Sequence, residues 1–445
     1  MKRSAWRYLW AAQDIRRKLL ITLMILAIYR FAAHVPVPGA NREALAQILQ
    51  GGGAGSTLIS LLDLLSGGTV SNFSVLAMGV YPYITAQIIL QLLVPIIPAL
   101  QKRMEDDPRE GQKWMEKWTY ILAVPMAFLQ AVGQINIFSS FAGTPIIENF
   151  GFGPGQLIPS LTILVSMTAG TMFAIWLGEL ISEYGIRNQG LSLIIFAGIV
   201  AQIPTNLLQI WANEQNRWLL LIFLLIITVL TIFAIVFVQQ GRRNVPVMYP
   251  GRRVGNRMSM PVKGTLPLMV NMAGMIPLIF AQALLSFPAI LASFFINSQT
   301  VWVSNLARSV TNTFNGQGAA YWIMYFVMVV AFTFFYTNVL FQQQNYGENL
   351  KRVGAQIPGV SRGAPTQRYL NRVLSRITLP GALFLGLIAI LPWLVGLILP
   401  LGQTQGLLLI SSAGLLIVVG VVRDTFFNIE AELKLHGYDD TLLVR

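Results

Sequence analysis

The chain is written as long apolar stretches divided by short polar ones. A helix needs about 20 apolar residues to cross a hydrocarbon core about 30 Å thick. Stretches of that length predict ten spans, at about residues 19–38, 72–98, 118–138, 157–180, 190–211, 217–240, 266–296, 319–341, 377–399 and 406–428. Barrel strands would alternate apolar and polar residues, whereas "WLLLIFLLIITVLTIFAIVFV" is apolar on every side. The pattern therefore predicts an all-α polytopic membrane protein.

"TLISLLDLLSGG", residues 57–68, breaks this rhythm. Its apolar run of about ten residues makes a helix about 15 Å long, half the depth of a bilayer. Thr57, Ser60, Asp63 and Ser66 recur at every third position and form a polar stripe on one side. Lipid satisfies neither the ends of such a helix nor Asp63, so it belongs inside the bundle as a re-entrant half-helix. Gly67 and Gly68 offer a flexible joint that would let it move as a unit; static packing in place is equally compatible with the pattern.

Two apolar stretches share a skeleton. "MGVYPYITAQIIL" (78–90) and "AGMIPLIFAQALL" (273–285) align Gly79 with Gly274, Pro82 with Pro277, Ile84 with Ile279, Ala86 with Ala281 and Gln87 with Gln282. They belong to spans two and seven, the second member of each group of five. Because five is odd, the second group enters the membrane in the opposite sense, predicting two inverted five-helix halves, 1–212 and 213–445, with function where they meet. A proline removes a helical hydrogen bond, so both helices are expected to kink near mid-membrane. A two-fold axis would then bring Ile84 and Ile279 to equivalent positions.

Composition agrees with a membrane protein: 55% of the 445 residues are hydrophobic and 11% charged. The net charge of +13 could mark a nucleic-acid binder, but its distribution gives a topological explanation. With a cytoplasmic N-terminus, all 31 Lys and Arg fall on that side except Arg30, Arg42, Arg217 and Arg308, and both termini become cytoplasmic. The basic N-terminal run leads into a full-length span and then "HVPVPG", which reads as a retained first helix and not a cleaved leader. Two cytoplasmic loops, 241–265 and 342–376, are longer than a helix connection requires and rich in Arg and Gly, as a docking platform would be.

The chemistry of an enzyme is missing. There is no cysteine, and the two histidines, His34 and His436, lie near a span end and in the tail. Glu179 and Glu183 share a helix face, but at the cytoplasmic end of span four. The interior keeps apolar side chains and a few amides such as Gln87 and Asn271, a composition suited to a pore sealed by packing and dewetting. No catalytic residue, metal site or cofactor is implied. A secondary transporter also uses inverted repeats and broken helices, and stays open as an alternative.

"RFAAHVPVPG", "LLSGGTVSNFSVLAMGVYPYITAQIILQLL", "GTMFAIWLGELISEYGI", "GLSLIIFAGIVAQIP" and "LPLMVNMAGMIPLIFA" together resemble the SecY family of bacterial protein-conducting channels, over residues 14–436. The resemblance implies a clam shell of two five-helix halves hinged between spans five and six. It implies a plug formed by Thr57, Leu58, Ile59, Ser60, Leu61, Leu62, Asp63, Leu64, Leu65 and Ser66. Its pore ring of aliphatic side chains maps onto Val80, Ile84, Leu191, Ile195, Ile279 and Ile417. A lateral gate is implied between spans two and three and spans seven and eight, with Thr85 and Asn271 as polar contacts across it.

The same resemblance makes the cytoplasmic loops the receptor for the ribosome, including its RNA, or the SecA motor ATPase, through Arg252, Arg253 and Arg362. The family often reads Pro-Gly-Ile-Arg-Pro-Gly in the second loop. Here "IPGVSRGAP" has Ser361 in the arginine's place, and Arg362 follows it. Further partners implied are small SecE-like and SecG-like membrane subunits, signal peptides, nascent polypeptides and membrane lipids. The implied location is the bacterial plasma membrane.

Overall fold

The structure, a computed structural model, describes residues 13–41, 73–142, 147, 150–151, 153, 155–212, 217–250, 253–254, 257–258, 262–296, 300–314, 318–344, 346–398 and 405–435. The segment 57–66, Arg252 and His436 lie outside them.

The described residues are mostly helical. In chain order they form α1 (Gln13–Ala32), α2 (Tyr81–Ile96), α3 (Pro98–Asp106), α4 (Pro108–Ala142), α5 (Leu157–Tyr184), α6 (Gly190–Ala212) and α7 (Arg217–Gln240). A hairpin follows: β1 (Arg242–Tyr249), β2 (Arg253–Val254), β3 (Arg257–Met258) and β4 (Val262–Met269). Then come α8 (Ile276–Ser293), α9 (Val301–Thr313), α10 (Ala319–Gln343), α11 (Tyr346–Arg352), α12 (Ala364–Ile398) and α13 (Gln405–Leu435). Among the described residues six helices are long and apolar enough to cross a membrane, within α4, α5, α7, α8, α10 and α12. The apolar parts of α2 and α6 are shorter.

Local chemistry sets several boundaries. The Asp107 carboxylate accepts the backbone N–H groups of Arg109 and Glu110 at 3.1 and 3.2 Å, and Pro108 takes the first helical position of α4. That arrangement satisfies donors a helix start would otherwise leave orphaned, where proline's missing N–H costs nothing. α7 shows why a membrane is required: Ile222, Leu225, Val229, Phe233 and Phe237 all point outward. So continuous an apolar stripe on a helix surface is stable where the solvent is lipid.

The expected mid-membrane kinks at Pro82 and Pro277 are not found. Both prolines are the second residue of their helices, α2 and α8. Gly79 and Gly274 precede those helices with φ of +50° and +64°, a left-handed turn that glycine makes without strain. The described predicted starts of spans two and seven, 73–80 and 266–275, are accordingly not helical. The first pairs with the chain leaving α1, where Val37 N–H donates to Phe73 C=O at 3.0 Å and Val75 N–H to Val35 C=O at 2.9 Å. Within the second, residues 266–269 belong to β4, paired with β1 from Arg242↔Met269 to Tyr249↔Val262.

Helices α1 to α6 pack among themselves, as do α7 to α13. The two groups touch along two seams: α8 lies against α2 and α4, and α6 lies against α7 and α13.

Candidate functional site: the seams and the apolar centre

The two copies of the Gly-x-x-Pro motif have nearly the same backbone. The residues that cap α2 and α8 are Val80, with φ −93° and ψ 4°, and Met275, with φ −92° and ψ −11°. From each cap, the isoleucine four residues on enters the protein interior. Ile84 and Ile279 are equally buried, each 8% exposed, in one continuous apolar core that also holds Val80, Ile195 and Ile417. Leu191 is half-buried against this core and reaches α5 at Gly178, where a methyl would meet Leu191 Cδ2 at 2.8 Å. Sequence identity at these positions is thus matched by identity of backbone and of burial.

Side-chain hydrogen bonds cross the seam of α8 with α2 and α4. The Tyr81 hydroxyl donates to Ala283 C=O at 3.0 Å and pairs with the Ser286 hydroxyl. Ser293 Oγ, held by Ile290 C=O at 2.6 Å, reaches Gly133 C=O at 3.4 Å. At Gly133 there is no room for a side chain, since a methyl would stand 2.4 Å from Ile290 Cγ2.

Thr85 and Asn271, expected to contact each other's half across this seam, bond within their own groups. Thr85 accepts from Gln130 Nε2 on α4 at 3.1 Å and donates to Pro82 C=O at 2.9 Å. Asn271 donates to Gly274 C=O at 3.1 Å and so braces the turn before α8. The Thr85 hydroxyl and the Asn271 amide nitrogen find partners locally, the Asn271 Oδ1 is buried without one, and the side chains that bridge the seam include Tyr81 and Ser293. Neither stood out in the sequence, because a tyrosine or serine in an apolar helix carries no mark of its partner.

The second seam carries an ion cluster that sequence reading missed. Glu432 on α13 binds Lys18 of α1 at 2.7 Å, and Arg187 of the α5–α6 turn lies 3.9 Å away. Asn428 donates to Arg187 C=O at 3.2 Å. Positions 414 residues apart leave no local signal of such a pairing. The carboxylate pair on α5 has a simpler setting: Glu179 is hydrogen-bonded by the Tyr120 hydroxyl at an exposed position.

The two long loops form one body. Met248 and Gln356 exchange backbone hydrogen bonds at 2.8 Å each, joining β1 to the turn after α11. Val245 and Val247 of β1 point to one side, and with Leu268, Phe341, Leu350, Ile357, Leu370 and Leu374 they make a separate small core. Alternation along a strand puts Arg242, Asn244, Pro246 and Met248 on the opposite, exposed face. Arg253 lies in β2 at the far part of the hairpin, and Arg362 is exposed in the turn before α12.

Lipid-facing helices, buried aliphatic centre and a single cationic platform define a multi-pass helical membrane protein with no catalytic constellation among the described residues. The family model of SecY matches residues 74–426. Over 431 residues, 96% of each chain, the sequence is 38% identical to the protein translocase subunit SecY of Aquifex aeolicus. It is 37% identical over 445 residues to that of Thermotoga maritima, covering 98% of this chain and 97% of the relative. The chain belongs to the SecY family. A solved structure of a protein conducting channel matches the fold with a TM-score of 0.62 at 18% identity, over 96% of this chain and 95% of that one. A structure of SecY concerned with its plug domain and membrane seal matches with the same score at 19% identity.

Proposed function

We propose that this chain is the channel subunit through which unfolded polypeptides cross the membrane and from which apolar segments leave sideways into lipid. The single observation that carries this reading is the doubled α2 and α8 start, with Ile84 and Ile279 buried alike in an aliphatic centre beside the seam of α8 with α2 and α4. Aliphatic side chains around a moving chain close the gap without binding any sequence, and they exclude ions by dewetting. The protein is read as ten spans in two inverted halves, 1–212 and 213–445, with both termini cytoplasmic in a bacterial plasma membrane.

In this reading Val80, Ile84, Leu191, Ile195, Ile279 and Ile417 form the gasket and residues 57–66 the plug. The α2/α4–α8 seam is the lateral gate. The fused loop platform, with Arg252, Arg253 and Arg362, receives a ribosome or a SecA-type motor, and SecE-like and SecG-like subunits complete the channel. The work is conduction; no bond of the substrate is made or broken.

The test replaces Ile84, Ile195 and Ile279 with serine and measures ion current through the reconstituted, resting complex. Current should rise, because polar side chains let water wet the constriction. An unchanged resting current would sink the gasket assignment.

A further inference from the structure

Helix α9 follows α8 closely and packs against it. Its own sequence divides into three faces. At 100° per residue, Val303, Ser304, Ala307, Val310 and Thr311 share one side, and Ala307 and Thr311 are buried there. Ser304 Oγ donates to Ile296 C=O at 2.7 Å, tying the first turn of α9 to the chain leaving α8. The exposed part is divided again: Trp302 and Leu306 lie about 40° apart on one flank, with Ser309 and Thr313 following on the same side, whereas Asn305, Arg308 and Asn312 gather on the other beside Val301 of the first turn. Trp302 is 72% exposed, and Phe294, Phe295 and Val301 add further exposed apolar surface at the same end.

The place of α9 in the chain says what covers that surface. α8 leaves the β1–β4 hairpin, is apolar enough to span the bilayer, and ends at Ser293, so α9 starts at the membrane edge opposite the hairpin. α7 ends at the hairpin, so its beginning lies at that same edge. There Trp218 meets Trp211 of α6 edge-on, with ring centroids 5.7 Å apart and both indoles exposed. Indole rings concentrate at the level of lipid headgroups.

We propose that α9 is an interfacial lipid anchor. It sinks Trp302 and Leu306 into the upper acyl region of the leaflet opposite the hairpin and sets Arg308 toward lipid phosphate. A helix with a cationic polar flank and a Trp/Leu flank lies in the interface plane in this way, its apolar side about 5–10 Å deep. Because α9 packs on α8, whose Ala283 and Ser286 are held by Tyr81, the leaflet then has a grip on the seam helix.

The inference rests on α8 crossing the bilayer, and the chain's lack of cysteine makes the test clean. Trp302→Cys, Leu306→Cys, Asn312→Cys and Leu225→Cys variants of the whole complex are labelled with an environment-sensitive fluorophore in phosphatidylethanolamine/phosphatidylglycerol nanodiscs. Lipid doxyl-labelled near its headgroup should cut emission at 302 and 306 by about half, with little effect from aqueous iodide, and 312 should show the reverse. Leu225→Cys, on the outward face of α7, should respond only to lipid quencher. Iodide reaching 302 and 306 as readily as 312 overturns the anchor, as does shielding of both from both quenchers, which would mean that protein covers the flank. Leu225→Cys keeps the two failures apart: lipid quenching there alone removes the anchor and leaves the spanning helices, and its absence removes both.

Discussion

The Gly133–Ile290 contact allows the seam to be tested by volume alone. In Gly133→Ala the new methyl would stand 2.4 Å from Ile290 Cγ2 and 3.4 Å from Ile290 Cβ. Apolar carbons rest about 3.5–4.0 Å apart, so roughly 1 Å or more must be recovered. Ile290 is buried within α8, and a β-branched side chain in a helix keeps one χ1 rotamer about nine times in ten, so the overlap is relieved chiefly by moving α4 away from α8. Overpacking of this kind costs about 1–3 kcal/mol. Charged to the closed seam only, that shifts the closed-to-open ratio by about 5–150-fold. Alanine also improves helix propensity over glycine by about 1 kcal/mol, a gain shared by both states, so thermal stability would hide the effect.

The assay is therefore the opening frequency of the reconstituted complex in planar bilayers. Gly133→Ala should open more often. Adding Ile290→Ala removes Cγ2 and should bring the frequency back toward the parent, with a coupling energy of about 1 kcal/mol or more. If Gly133→Ala assembles and opens no more often than the parent, or if Ile290→Ala fails to compensate, the α4–α8 seam is not the surface that parts.

Tyr81→Phe removes the hydroxyl bonded to Ala283 and Ser286, and should loosen the same seam by about 1 kcal/mol, near fivefold in opening. Ser286→Ala should add little in the double variant; additive effects would show that the two hydroxyls do not act together. Glu432→Gln weakens the link from α13 to Lys18 by about 1 kcal/mol at this partly exposed site. The parent's thermal stability should fall more with added salt than the variant's, and equal salt slopes would deny the ion cluster a stabilising role. Gln356→Pro deletes the N–H donated to Met248 and should speed limited proteolysis of the 353–363 turn by up to about tenfold. Unchanged cleavage would mean that the two loops are held together by their apolar core alone.

Hydropathy made the helices legible because lipid offers no hydrogen bonds, so a spanning segment must satisfy its backbone within itself. The boundaries of α2 and α8 were less legible. A proline at the second position of a helix and a proline in its interior look the same in sequence, and the difference lies in what the preceding residues do. Here those residues pair elsewhere: 73–75 with 35–37, and 262–269 with 242–249. Glycine at φ near +50° to +64° then turns the chain into the helix, so the repeated motif marks a start where a kink was expected. The shared Ala-Gln that follows has unequal surroundings, with Gln282 buried and Gln87 half-buried.

By itself, then, the amino-acid order determined the membrane class, the apolar segments and the repeated Gly-x-x-Pro skeleton. Each of these is a property of neighbouring residues or of their count. Only the tertiary structure decided which side chains hold the seams, joining Tyr81 to Ala283, Gly133 to Ile290 and Lys18 to Glu432. It also turned Thr85 and Asn271 back into their own groups and fused two distant loops through Met248 and Gln356. Such pairings depend on how helices of similar apolar composition are arranged around one another. Many partners are chemically equivalent along the chain, and close packing selects among them in space.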